Sequence, residues 1–273
     1  MEYNAVLQNR HYLSLWFAQL ISRLGKIIHE IALVWIVYEV TESPALISLI
    51  VLANIIPNMI AAVPAGVIVD RVNRKYLIVA TEFTSALAVL LIPLVGRSRF
   101  LVPIVLGVAV ILDLLEAVFV PARQALIPNV VAKSELDAAN SLSRLTISVT
   151  QMLYVIGGLV VGLFGVFAAF YLNSVSYVIS ALILLIVPTE AGKPESGNET
   201  KSSASEFFQE IKQGIKFIQT HTTLPWVLLL VLLSNFSTAP AGVVLPFFAD
   251  VIQTDRSINI RTCLAPVNFA TVS

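Results

Sequence analysis

The sequence predicts an all-α membrane protein, and three observations predict it. Hydrophobic residues make up 57% of the 273 and charged residues only 12%, against roughly a quarter charged in typical soluble domains. Mean hydropathy is +0.86, too apolar for a chain of this length to clothe a globular surface in polar groups. The apolar residues also fall into blocks of about 20, the length at which a helix crosses a ~30 Å hydrocarbon layer.

Six blocks read as spans, at residues 12–40, 44–69, 76–95, 100–120, 140–164 and 167–187, and a seventh begins near Leu224 and fades near Ala249. The first is too long for a signal-peptide core and has no small-residue cleavage site behind it, so it is expected to persist as a spanning helix. The chain therefore divides into a six-helix transmembrane part (1–188), a linker (189–223), a seventh helix (224–250) and an irregular tail (251–273).

The connections orient the spans. Residues 41–43, 96–99 and 165–166 make short turns. The basic residues concentrate elsewhere: Arg71, Arg74 and Lys75 between the second and third spans, Arg123 and Lys133 between the fourth and fifth, and Lys193, Lys201, Lys212 and Lys216 after the sixth. Placing these segments and the N-terminus in the cytoplasm satisfies the positive-inside rule and predicts a multi-pass protein of the cell membrane. Arg97 and Arg99 stand against it. Within the linker, residues 191–203 have flexible composition. Phe207, Ile211, Ile215 and Ile218 then recur at helical spacing, as in a helix lying in the membrane interface or a short soluble helix packed on the cytoplasmic face. Residues 252–273 have no helical periodicity, consistent with a disordered tail and with a change of frame relative to a longer ancestral chain.

Other classes find little support. A formal net charge of zero gives no reason to expect nucleic acid, and the single cysteine, Cys263, allows neither an intrachain disulfide framework nor a cysteine metal site. His11, His29 and His221 lack metal-ligand spacing, and there is no nucleophile–base pair or phosphate-binding glycine loop. Neither an enzyme, a metal nor a cofactor is expected.

Charges inside spans are costly in hydrocarbon and mark functional candidates. Arg23, Lys26 and Glu30 fall at i, i+3 and i+7, one stripe of the first span with His29 on its flank, and Lys26 and Glu30 have the i, i+4 spacing of an ion pair. In the fourth span Asp113 and Glu116 share a face, with Arg123 near it at the cytoplasmic end. These two faces are expected to line a polar translocation cavity; the alternative is a set of structural ion pairs. In the fifth span, Gly158-x-x-x-Gly162 reads as a site of close helix packing.

The loop after the second span carries Gly66, Asp70, Arg71, Asn73, Arg74 and Lys75. Asp70, at the membrane edge, can pair with a cation or cap a facing helix, and the basic residues can hold the loop at an anionic surface. An ordinary cytoplasmic loop has the same charges. The spacing, however, resembles the signature loop of the major facilitator superfamily, Gly-x-Leu-Ala-Asp-Arg-x-Gly-Arg-Lys. Gly66, Asp70, Arg71, Arg74 and Lys75 match, and Asn73 replaces the second glycine, a residue that tolerates positive φ. Residues 15–22 followed by Gly25 and residues 31–35, Pro121 to Pro128, and Ala139-Asn140-Ser141 extend the resemblance over residues 8–250. They are similar to the branch that includes enterobactin exporters and macrolide efflux proteins.

That resemblance implies an N-terminal six-helix bundle of the major facilitator type plus one further transmembrane helix, truncated after about the seventh helix and inactive alone. It implies secondary active efflux of a small amphipathic compound, a drug or a siderophore, with protons as coupling ion, and a cytoplasmic gate containing Asp70, Arg71 and Arg74. Two departures qualify it. Lys26 stands where the branch often has an acidic residue, leaving Asp113 or Glu116 as alternative proton carriers. The glycine run of the fifth span lacks the proline of antiporter members. A non-transporting membrane scaffold or assembly partner is the alternative function, and a half-size transporter that oligomerises is a third.

Overall fold

The computed structural model describes residues 2–54, 56–193, 220, 225–227, 229–230 and 233. Up to residue 193 the described residues form nine α-helices: α1 (Glu2–Gln8), α2 (Arg10–Thr41), α3 (Pro44–Ala53), α4 (Ile56–Arg71), α5 (Arg74–Val95), α6 (Leu101–Val130), α7 (Leu136–Met152), α8 (Tyr154–Phe164) and α9 (Val166–Leu184). They belong to one compact unit. The described residues 220–233 belong to a second, where Trp226, Val227, Leu229, Leu230 and Leu233 are exposed. Most of the expected linker helix and seventh span, and the whole tail from residue 251 with Cys263, lie outside the described residues, as does His221.

The first, third and sixth expected spans each form one helix (α2, α5 and α9). The second divides into α3 and α4. Pro57 lacks an N–H and its ring crowds the carbonyl four residues back, so Asn54 ends α3 in a turn, its N–H bonded to Ile50 O. The fifth divides into α7 and α8 at Leu153 without a proline. Just before the break the Thr150 hydroxyl donates to the carbonyls of Thr146 and Ile147, a back-bond that bends helices. The fourth runs on to Val130 rather than ending near Val120, so Arg123 lies inside α6 and not in a connection. Gly165, the one residue between α8 and α9, takes φ 85° and ψ 162°, a conformation essentially restricted to glycine.

Among the described residues, four stretches are long and apolar enough to cross a membrane: Ala45–Ala62, Arg74–Val95, Leu101–Val130 and Val166–Leu184. Burial is inverted relative to a water-soluble bundle. On α5, Glu82 is 3% exposed while Leu87 and Leu94 are 66% and 75% exposed. On this helix the acidic side chain faces the bundle and these leucines face outward, as a hydrocarbon solvent requires. The chain is a multi-pass membrane protein.

Packing follows a repeated pattern. α2 lies along α9 and α5 along α6, α5 and α9 pack on each other, α4 packs on α6, and α8 packs on α2. Exchanging the first three expected spans for the last three leaves this set of contacts unchanged. Polar and apolar layers alternate along the helices. Gln19 and Ser22, Thr81 and Glu82, Asp113 and Glu116, and Tyr177 and Ser180 form the polar layer. Nearer the basic loops, Leu15, Ala18, Val69, Ile78, Ala122, Leu126, Leu184 and Val187 pack as one apolar cluster. A second cluster, of Val6, Tyr12, Ile127, Val131, Ala138 and Ala139, flanks it.

Candidate functional site

The polar layer surrounds a cavity of about 140 Å³ bounded by α2, α5, α6 and α9. Lys26 of α2 extends its ammonium to the Glu116 carboxylate of α6 and lies 3.7 Å from Glu30 one turn on. Glu30 in turn accepts the Tyr154 hydroxyl from α8. Three elements are thus joined by one polar chain: Glu116, Lys26, Glu30, Tyr154. Arg23, one turn before Lys26, lines the same cavity. At its loop-side end the buried Arg123 guanidinium donates to Gln19 Oε1.

Asp113, one turn from Glu116, has a different partner. Its carboxylate accepts the backbone N–H of Asn58 at 2.5 Å, and the Asn58 side-chain nitrogen donates to the Asp113 carbonyl at 3.4 Å. Asn58 is the third residue of α4, whose first-turn N–H groups have no carbonyl of their own helix to bond. Asp113 therefore supplies an acceptor and a negative charge to the positive end of α4.

The expected site residues fall into two groups. Arg23, Lys26, Glu30, Asp113, Glu116 and Arg123 are brought together around the one cavity. Gly66, Asp70, Arg71, Arg74 and Lys75 are placed away from it, at the end where α4 meets α5. Asp70 and Arg71 are exposed, and among the described residues nothing lies within 4 Å of where a Cβ on Gly66 would sit. Asn73, in place of the signature glycine, caps α5 by accepting the Lys75 N–H at 3.0 Å and donates to Thr189 O at 3.1 Å. Arg74 donates to Ala125 O near the end of α6, and Lys75 to Leu185 O just past α9. Lys75 thus meets a carbonyl just past the end of α9, where a helix C-terminus leaves carbonyls unbonded, and Arg74 reaches one in the last two turns of α6.

Among the described residues nothing lies within 4 Å of a Cβ on Gly158. At its neighbour Gly157 a Cβ would sit 2.6 Å from Ile31 Cδ1 and 3.4 Å from Ile27 Cγ2 of α2.

Residues 3–257 match the family of transmembrane secretion effectors of the major facilitator superfamily. The chain belongs to that family. This major facilitator chain is similar to the MFS-type transporter YfiS of Bacillus subtilis, at 23% identity over 76% of the chain and 49% of YfiS. It is 24% identical to macrolide efflux protein A of Streptococcus pyogenes over 87% of the chain and 58% of that protein. It is 25% identical to the multidrug efflux pump Tap of Mycolicibacterium fortuitum over 74% of the chain and 50% of the pump. The chain spans about half the length of the curated relatives it matches. No solved structure matches it. The family is one of transporters and not of enzymes.

Sequence reasoning missed several polar residues in and around this major facilitator chain's cavity, among them Gln19, Asn58, Glu82, Tyr154 and Tyr177. Glu82 carried a usable signal, being the one acidic residue of an otherwise apolar span. The others are uncharged, and only their partners mark them out.

Proposed function

We propose that residues 1–188 form the six-helix N-terminal half of a secondary active efflux transporter for a small amphipathic compound, a drug or a siderophore, with protons as coupling ion. The observation that carries this reading is the Lys26–Glu116 pair, which bridges α2 and α6 across a cavity inside membrane-spanning helices. A translocation site needs charges that are satisfied at rest and separable when a ligand or proton competes for one of them. Lys26 and Glu116 meet that requirement, each about a third exposed toward the cavity. The names of the macrolide and multidrug efflux relatives support the compound class. Alternating access requires a second half for this one to rock against.

In this reading the N-terminus is cytoplasmic, and Gly66, Asp70, Arg71, Arg74 and Lys75 form the cytoplasmic gate. The bonds that Arg74 and Lys75 make to Ala125 O of α6 and to Leu185 O past α9 support that role, since α5 cannot swing without releasing them. The polar walls are Arg23, Lys26 and Glu30 on one side and Asp113 and Glu116 on the other, with Arg123 below.

Everted membrane vesicles from cells expressing the chain together with the C-terminal half of a macrolide efflux relative, as the second half it would rock against, test the proposal. Energised vesicles are expected to accumulate a fluorescent amphipathic dye, and Lys26→Met to abolish that accumulation. Dye binding without accumulation would instead assign a non-transporting membrane partner. Neither binding nor accumulation would overturn both.

A further inference from the structure

Behind the Lys26–Glu116 pair, α2, α5 and α9 meet along a second polar surface. Ser22 and His29 come from α2, Glu82 and Ser85 from α5, and Asn173 and Ser180 from α9, all buried. The helices approach closely here because Gly25 has no side chain; a Cβ would overlap the Ser176 hydroxyl. This seam is short of partners. One carboxyl oxygen of Glu82, the Ser180 hydroxyl, the Asn173 side-chain nitrogen and both ring nitrogens of His29 are buried with no hydrogen bond among the described residues.

Glu82 is the chemically significant member. It is 3% exposed, lies in the apolar span Arg74–Val95 and borders the cavity. Among the described residues no ion pair reaches it. The Ser180 and Ser22 hydroxyls lie beside it. The groups facing it from the packed elements are Tyr177 of α9, Glu116 and Asp113 of α6, and Lys26, His29, Arg23 and Glu30 of α2, all on the same cavity. Lys26 already serves Glu116 and Glu30, and Glu116 acts on Glu82 as a like charge. A charged carboxylate without a cation is costly at such a place, whereas a carboxylic acid is not. Orphaned donors and acceptors on three facing helices are what a proton and a few waters satisfy.

We propose that Glu82 is a proton-binding carboxyl, with the unpartnered polar atoms of the α2–α5–α9 seam forming its hydrated access path to the cavity. The proton adds to the carboxylate and leaves from the carboxylic acid; no other bond changes. With the proton bound, Lys26 remains with Glu116. With it released, a further negative charge faces the cavity and competes with Glu116 and Glu30 for Lys26. The coupling role rests on the efflux reading above; the proton site itself does not.

Infrared difference spectra of the detergent-solubilised full chain across pH steps test it. A carboxylic-acid carbonyl band is expected that is lost in Glu82→Gln, displaced in Glu82→Asp and unchanged in Glu39→Gln, which alters the exposed partner of Arg97. Glu116→Gln is expected to move the pH midpoint of that band by removing the like charge. A band that persists in Glu82→Gln overturns the proposal. If Glu82→Gln does not fold, a band left in place by Glu82→Asp overturns it equally. A band that answers to sodium at constant pH assigns a metal cation and also overturns it. The readout needs no transport, so a chain that shows the band yet moves no compound when supplied with a second half overturns the efflux reading and leaves this site standing.

Discussion

Lys26 holds two carboxylates at once, and the two contacts differ in kind. Its contact with Glu30 is a 3.7 Å pair along one helix, and such i, i+4 pairs contribute about 0.2–0.5 kcal/mol. Its contact with Glu116 joins two helices, with side chains 35% and 31% exposed, between the regimes of surface and buried pairs. A double-mutant cycle on Lys26→Met and Glu116→Gln, read by thermal unfolding in detergent, is expected to give a coupling of about 1–3 kcal/mol. Lys26→Met alone should cost more than the double variant, because it leaves Glu30 and Glu116 without their shared cation. Additive single effects would show that the pair contributes nothing. The stripe of Arg23, Lys26 and Glu30 was legible from sequence because helical spacing is local arithmetic. The choice of Glu116 was not, since the two residues lie 90 positions apart and only the approach of α2 to α6 joins them. The same holds for Glu82, whose neighbours Ser22 and Ser180 come from two other helices.

Helix approach is set by glycines that look alike in the sequence and differ in surroundings. A Cβ on Gly25 would overlap Ser176 and lie 2.7 Å from Asn173 Oδ1. A Cβ on Gly157 would meet chiefly the flexible end of Ile31, and one on Gly158 nothing nearby among the described residues. Gly25→Ala is therefore expected to destabilise the bundle by about 1–3 kcal/mol. Gly157→Ala should cost less, and Gly158→Ala should stay within about 0.5 kcal/mol. Melting temperatures of the three purified variants provide the ranking, and an equal loss at Gly158 would refute it. Helix boundaries show the same division between local and distant causes. The break before α4 was readable from Pro57, because a missing N–H acts on its own helix. The break at Leu153 has no such marker and depends on how Thr150 bonds within α7.

For the molecule as a whole, the crossings can be counted and checked against contacts. Between Val72 and Lys133 the chain passes along α5 and α6, so these two positions share one side and Ser98 lies on the other. Hydrogen bonds at the first end agree. Asn9 donates to Val130 O, the Tyr12 hydroxyl to Ala139 O, Arg74 to Ala125 O and Asn129 to Ala191 O. The N-terminus, the loop after α4 and the ends of α6 and α9 are thereby gathered together. The basic residues there include Arg10, Arg71, Arg74, Lys75 and Lys133, while the opposite end has Arg97 and Arg99. Arg97 pairs with Glu39 at 2.7 Å, and Arg99 lies over the Phe100 ring; the larger basic count at the first end is what favours the positive-inside orientation. The single cysteine makes a clean labelling experiment possible. In a Cys263→Ser background, Ser98→Cys is expected to react with a membrane-impermeant maleimide on intact cells. Val72→Cys and Lys133→Cys are expected to react only after permeabilisation. Labelling in the opposite sense would invert the orientation and place the Asp70–Lys75 loop outside. Labelling of Val72→Cys and Lys133→Cys from different sides would break the crossing count itself, because two complete passages return the chain to the side it left.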